Sequence, residues 1–165
     1  GLGAGRPSTS RVRQSFSPEL LDEARDLGAE DPTESLKDRK DFTKLLTFTI
    51  DGERAKDFDD AVSLERFEDR YRLGVHIADV STFIPMGSAL DLEAKDRGNS
   101  IYLPGKVIPM LPERLSTDLC SLRPNQDRLT YSCIMEMNSQ NEVVAFTSRR
   151  LAVVGSPADI APVNT

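Results

Sequence analysis

Asp51-Gly52-Glu53-Arg54-Ala55-Lys56-Asp57-Phe58-Asp59-Asp60 places four aspartates within ten residues, directly after the apolar, β-prone run Leu45-Leu46-Thr47-Phe48-Thr49-Ile50. Carboxylates this dense repel one another unless protons or cations intervene. A chain that collects them at a strand end gains most by holding a hard cation. Oxygen ligands suit Mg²⁺, with Mn²⁺ as the alternative. Asp51 closes one strand and Gly52 permits a tight reversal, so Asp57, Asp59 and Asp60 can return beside it. In an extended segment Asp57 and Asp59 face one side and Asp60 the other, with Phe58 pointing inward as an anchor. Two divalent ions about 4 Å apart could share such a set, an arrangement suited to phosphodiester hydrolysis. The competing reading is an Asp-rich surface turn. An EF-hand is a poor match, because the spacing lacks the alternate-position ligands, central Gly and terminal Glu.

Outward from this loop the pattern is strands. Ala61–Phe67 alternates on leaving it, Glu68-Asp69-Arg70 turns, and Tyr71–Val80 returns as the hairpin partner. Leu73, Val75 and Ile77 share one side of that strand and His76 takes the other. With no Cys or Ser beside it in sequence, this single histidine reads as a structural or partly exposed strand residue. Leu129–Met137 and Val143–Phe146 form a second strand–turn–strand unit around Asn138-Ser139-Gln140-Asn141. Helices are expected from Ser17, with Pro18 at the first position and Gly28 at the end, and from Ser88 to Gly98. A short one is expected from Pro112 towards Leu122. The fold class is α+β: a mixed, mostly antiparallel sheet with a few helices.

The 165 residues suffice for one domain with a core. A net charge of −6 argues against generic electrostatic binding of nucleic acid, unless cations reverse the potential locally. Cys120 and Cys133 have neither CxxC spacing nor histidine neighbours, and fit reduced, buried thiols. No apolar run approaches bilayer-spanning length, and the first residues lack a signal-peptide core. The expected location is cytoplasmic, without membrane contact.

Several stretches together resemble the catalytic (RNB) domain of the ribonuclease II / ribonuclease R family, nearer the bacterial ribonuclease R branch. They are Thr49-Ile50-Asp51-Gly52, Ala55-Lys56-Asp57-Phe58-Asp59-Asp60-Ala61, Val75-His76-Ile77-Ala78-Asp79-Val80-Ser81, Gly87-Ser88-Ala89-Leu90-Asp91, Ser100-Ile101-Tyr102-Leu103-Pro104, Val107-Ile108-Pro109-Met110-Leu111-Pro112, Leu115-Ser116 and Leu119-Cys120-Ser121-Leu122. The resemblance covers Asp41 to Phe146. It implies a processive Mg²⁺-dependent hydrolase that removes nucleotides from the 3′ end of single-stranded RNA and releases 5′-monophosphates. The family's catalytic aspartates fall on Asp51, Asp57, Asp59 and Asp60. Asp51, Asp57 and Asp60 are then mainly metal ligands, and Asp59 is the one most tied to the chemical step. Tyr102 matches the tyrosine that packs near the last nucleotide. Without the resemblance, Tyr102 reads as a core strand aromatic. Lys56 reads as a solvated loop lysine or a phosphate contact. Asp79 and Asp91 read as structural, and Arg114 and Arg123 as minor candidates for RNA-backbone contacts.

The organisation expected is a flexible tail over 1–16, a helix and charged surface connection over 17–42, a partial RNB domain over 43–147, and a divergent, disordered tail over 148–165. The part matched is the N-terminal half of the family's catalytic domain. The absent half carries a further arginine and glutamate at the scissile phosphate, and the flanking cold-shock and S1 domains are absent as well. A catalytically inactive RNA-binding or partner-binding fragment is therefore the alternative function. A sheet cut midway also predicts self-association, or docking of a partner chain.

Overall fold

The computed structural model describes residues 13–28, 36–52 and 55–154, the side chains of 151–154 excepted. Helix α1 (Pro18–Asp26) starts at Ser17, whose hydroxyl accepts from Leu20 N at 3.4 Å, and buries Leu20 and Ala24, one turn apart. Strands β1 (Lys40–Phe42), β2 (Thr47–Phe48), β3 (Asp60–Arg66) and β4 (Arg70–Ala78) follow, then a 3₁₀ turn at Val80–Thr82. Helix α2 (Ala89–Arg97) has Ser88 as its cap, accepting from Asp91 N at 3.2 Å, and ends on Gly98 in a left-handed conformation. The hairpin β5 (Ile101–Leu103) and β6 (Lys106–Ile108) precedes a π-helical turn at Arg114–Leu119, and β7 (Asp127–Asn138) and β8 (Val143–Val154) complete the order. The sheet runs β1-β8-β7-β4-β3-β2, antiparallel except for the parallel β1–β8 pair. The expected α+β class is what forms. Among the described residues no helix is long and apolar enough to cross a membrane.

Strand alternation sorts the central residues as expected, but the interior is on the histidine side. Ala61, Ser63, His76, Ala78, Thr130 and Ser132 are buried, whereas Ile77, Leu64 and Tyr131 on the opposite face are exposed. The reason is size. Small side chains on the first face let α1, α2 and the loops approach closely, and Leu20, Leu90, Leu111, Leu115 and Leu122 pack there with Ala61 and Ala78. Gly74 belongs to this face, where a Cβ would collide with Ser63 Oγ and His76 Nε2.

His76 is fully buried and bonded through both ring nitrogens, Nε2 to Ser63 Oγ at 2.9 Å and Nδ1 to Ser132 Oγ at 2.8 Å. Ser132 Oγ continues to Thr130 Oγ1 at 2.9 Å. The network is satisfied but sealed from solvent, so the histidine is structural, and it is wholly buried rather than partly exposed. Burial pushes its pKa down to about 4 from an ordinary 6.5. Since the folded value lies below the unfolded one, stability is complete above pH 6.5 and falls as acidification protonates the unfolded chain first, levelling near pH 4. A displacement of that size corresponds to a loss of about 3 kcal/mol. Urea unfolding from pH 7 down to pH 4 measures it. A wild-type slope no steeper than that of His76→Asn contradicts this assignment.

Three expectations about the flanks change. Of the tail expected over 1–16, residues 1–12 lie outside the described residues, but 13–16 dock on α2. Arg97 donates to Ser15 O at 2.7 Å and stacks over the Phe16 ring at 3.9 Å. The charged connection is not all surface, because Arg39 is buried to 3% exposure against Asp79, equally buried, at 2.7 Å. The tail expected from residue 148 begins inside β8, which pairs with β7 as far as Val154. Within it Arg149 stands opposite Ser132 and Arg150 opposite Tyr131, so the two arginines alternate between the faces of an ordinary strand. Residues 155–165 lie outside the described residues.

Candidate active site

After β2 the chain passes through Thr49 and Ile50 to Asp51 and Gly52, and a turn closes with Ala55 N donating to Gly52 O at 2.9 Å. Residues 55–59 then run without regular structure into β3, so their backbone groups need partners elsewhere. Ala78 N, at the end of β4, donates to Asp59 O at 3.0 Å, and Leu122 N donates to Phe58 O at 2.9 Å. Ser121 Oγ accepts from Phe58 N at 3.1 Å and donates to Lys56 O at 2.9 Å. The Phe58 ring packs against the core as the expected anchor. These ties fix the backbone of the loop.

The structure brings Asp57, Asp60 and Asp51 within electrostatic reach of Asp59. Asp59 has its pKa raised, first by lost hydration and then by the charges of Asp57, Asp60 and Asp51. Asp59 still presents an exposed surface; its carboxyl lies low among protein atoms, which is why desolvation ranks first. Asp60 opens β3 opposite Ile77 and is exposed, as is Asp51.

Tyr102 comes from a distant element, yet its hydroxyl donates a short hydrogen bond to Asp57 Oδ2. That bond, with some burial and the charges of Asp57 and Asp59, pushes the phenol up to about 12. The residue remains 61% exposed, so the core-aromatic alternative does not hold. An aromatic that is open on one face and fixed at its polar end can stack on an unpaired base.

The donors are all carboxylate oxygens, the chemistry that hard divalent cations prefer. Their mutual repulsion, visible in the raised Asp59 pKa, is what a cation relieves. Among the described residues no three acid, Cys or His side chains already close on one point, and Asp57 is turned towards Tyr102. The fit is therefore one of donor type and proximity, not of a closed cage. Cys120 below is no donor, since burial and then the charge of Asp59 push its thiol up to about 12.

Arg114 and Arg123 converge on Asp118, the second at 3.5 Å, and Arg128 joins at 3.7 Å. Asp79 and Asp91 are structural, as expected. Burial alone would raise Asp79, but bonds from Ser81, Arg39 and Thr82 and the charge of Arg39 hold it below its ordinary value. Asp91 accepts from Gly87 N and Lys95 Nζ beside the cap of α2. Lys56 is exposed. Ser121 and Arg128, which support the loop, had no role assigned from sequence. The only signal was that Ser121 falls within one of the recognisable motifs.

The RNB domain family matches residues 39–163, beyond the Phe146 limit read from the motifs. Ribonuclease R 1 of Lactococcus lactis is 48% identical over 132 residues, covering 79% of this chain and 16% of that protein. Ribonuclease R of Chlamydia trachomatis is 52% identical over 130 residues, covering 78% of this chain and 19% of that protein. The chain thus spans about a fifth of the length of these curated relatives. Mycoplasma genitalium RNase R, solved with ribose-methylated single-stranded RNA, superposes with a TM-score of 0.84 at 31% identity, covering 88% of this chain and 23% of that one. A yeast pseudonuclease shares the fold at a TM-score of 0.68 and 24% identity, over 78% of this chain and 16% of that one. With the motifs, the sheet and most of the sequence all in agreement, this chain belongs to the RNB domain family, with ribonuclease R among its relatives.

Proposed function

We propose that this chain carries the cation-binding half of a hydrolytic 3′-to-5′ exoribonuclease acting on single-stranded RNA and releasing 5′-monophosphates. The observation that carries the reading is the placing of Asp57, Asp60 and Asp51 within electrostatic reach of Asp59, whose pKa is raised, with Tyr102 bonded to Asp57. Asp51, Asp57 and Asp60 would hold Mg²⁺, or Mn²⁺ in its place. A bound divalent cation supplies Lewis-acid activation of water and neutralises charge on the phosphate. The chain's own part is to hold these carboxylates together and to keep Asp59 poised at the reacting phosphate. The exposed ring of Tyr102 seats the terminal nucleotide by stacking, which tolerates any base.

A 3′-extended RNA incubated with the chain, in Mg²⁺ and separately in EDTA, tests this. Mononucleotide release that needs Mg²⁺ supports it. The alternative, an inactive RNA- or partner-binding fragment, is favoured by the small share of its relatives' length that the chain spans. RNA retained on filters in EDTA, with no hydrolysis in Mg²⁺, supports that alternative, and neither binding nor hydrolysis sinks both.

Self-association, or docking of a partner chain, is supported by the uncovered sheet face. Leu64, Ile77, Tyr131, Val144 and Phe146 are all at least half exposed or close to it. Sedimentation velocity over a concentration series is expected to show a dimer that Phe146→Glu weakens. A wild-type chain that stays monomeric throughout removes the self-association reading.

A further inference from the structure

We infer that Ser121 is a positioning residue for the aspartate site, its hydroxyl pinning the backbone on both sides of Asp57. The inference rests on the reading of that loop as a divalent-cation site.

The geometry is a three-residue clamp. Ser121 Oγ gives its proton to Lys56 O at 2.9 Å and takes a hydrogen bond from Phe58 N at 3.1 Å, so both of its capacities are used across the single residue Asp57. The next backbone group, Leu122 N, donates to Phe58 O at 2.9 Å. The serine is fully buried, where a lost partner is not replaced by water. Asp57 is the carboxylate bonded to Tyr102, so the clamp sets a candidate ligand and the candidate nucleotide contact together.

Ser121 is itself held in place. The π-helical turn Arg114–Leu119 ends with Cys120 N donating to Leu115 O at 2.9 Å, and Ser121 N donates to Asp118 O at 3.0 Å. Such wide turns occur frequently at functional sites. Leu115, fully buried, anchors the turn, and Arg128 Nε donates to Ser121 O at 2.8 Å. The backbone of Ser121 is thus held by the turn and by Arg128, while the donor and acceptor of its hydroxyl are both committed to one segment that has no regular structure of its own. Outer groups of this kind typically tune metal affinity by about 10- to 100-fold.

The test is Mn²⁺ affinity, read from the electron paramagnetic resonance signal of free Mn²⁺ and normalised to folded chain by circular dichroism. Ser121→Ala is expected to weaken binding by about tenfold or more, and Ser121→Thr, which keeps the hydroxyl, to recover most of it. Ser121→Cys, similar in size but a weak donor, replaces the alanine variant if that does not fold. Ser132→Ala removes an equally buried serine from the histidine network and is expected to lower the melting temperature while leaving Mn²⁺ affinity unchanged. Wild-type affinity in Ser121→Ala, or an equal loss in Ser132→Ala, overturns the positioning role. A wild-type chain that binds no Mn²⁺ overturns the cation-site reading, and the inference with it.

Discussion

Asp59→Asn is expected to remove Mg²⁺-dependent release of mononucleotides, by about 100-fold or more if it acts on the scale of other single transition-state contacts, while leaving the metal-free chain as stable as before or more stable. The two halves of that outcome have one cause. At Asp59 lost hydration and then the charges of Asp57, Asp60 and Asp51 all disfavour the ionised form. Asparagine keeps the shape, removes one negative charge from a self-repelling set, and relieves that cost. Sites tuned for chemistry often forgo stability in this way. The measurement pairs single-stranded RNA hydrolysis with thermal unfolding in EDTA and in Mg²⁺. Lower activity with an unchanged or higher melting temperature in EDTA, and a smaller rise on adding Mg²⁺, is the expected pattern. A variant that hydrolyses RNA as fast as wild type sinks the role for Asp59. One that loses both activity and EDTA stability marks the carboxylate as a structural group. The pH dependence carries the same sign: because the Asp59 pKa is raised, cation binding weakens at a higher pH than it would for an ordinary aspartate.

What sequence alone made visible is what short-range chemistry decides. The caps at Ser17 and Ser88 act over three residues, and the aspartate loop is a local density of charge. Interactions across long sequence separations left no such trace. Ser121 binds the loop from 63 and 65 residues away, and a serine between Cys120 and Leu122 carries no mark of that beyond its place in a recognisable motif. Period-two alternation correctly grouped Leu73, Val75 and Ile77, but it states which residues share a face, not which face is inside. Here the small residues Ala61, Ser63, Gly74 and Ala78 admit the helical layer, and the larger apolar side is left open. Tyr102 failed the opposite way: an aromatic in a short strand suggests core, and only the matching motif directed it to the site where its hydroxyl meets Asp57.

Arg39→Ala is expected to cost about 3–5 kcal/mol, the range for breaking one side of a buried ion pair, which is a large share of the roughly 5–15 kcal/mol that holds a domain together. The Arg39 side chain is 3% exposed and spends its guanidinium on Asp79 at 2.7 Å, Thr82 Oγ1 at 2.8 Å and Thr130 O at 3.3 Å. Without it, Asp79 keeps Ser81 Oγ at 2.6 Å and the exposed Arg150 at 3.6 Å, which places the loss towards the lower end of that range. Replacing both partners by apolar residues, Arg39→Met with Asp79→Leu, is expected to recover much of the loss, because no uncompensated charge then remains buried. The acid limb gives an independent check. The folded Asp79 pKa lies below its ordinary value, so its contribution is present above about pH 4 and fades as pH falls through the lowered value. Arg39→Ala should flatten that limb. Urea unfolding at neutral and acid pH decides the matter: a loss below about 1 kcal/mol, no more than an exposed pair contributes, contradicts the buried-pair account. The effect should also reach the aspartate site. Asp79 directly follows Ala78, whose N–H holds Asp59 O, so freeing the Asp79 carboxylate loosens one of the two backbone–backbone bonds that tie the loop to the rest of the fold. Cation affinity is therefore expected to fall with stability in Arg39→Ala and to return in the apolar double variant, which restores the packing around Asp79 without restoring its charge.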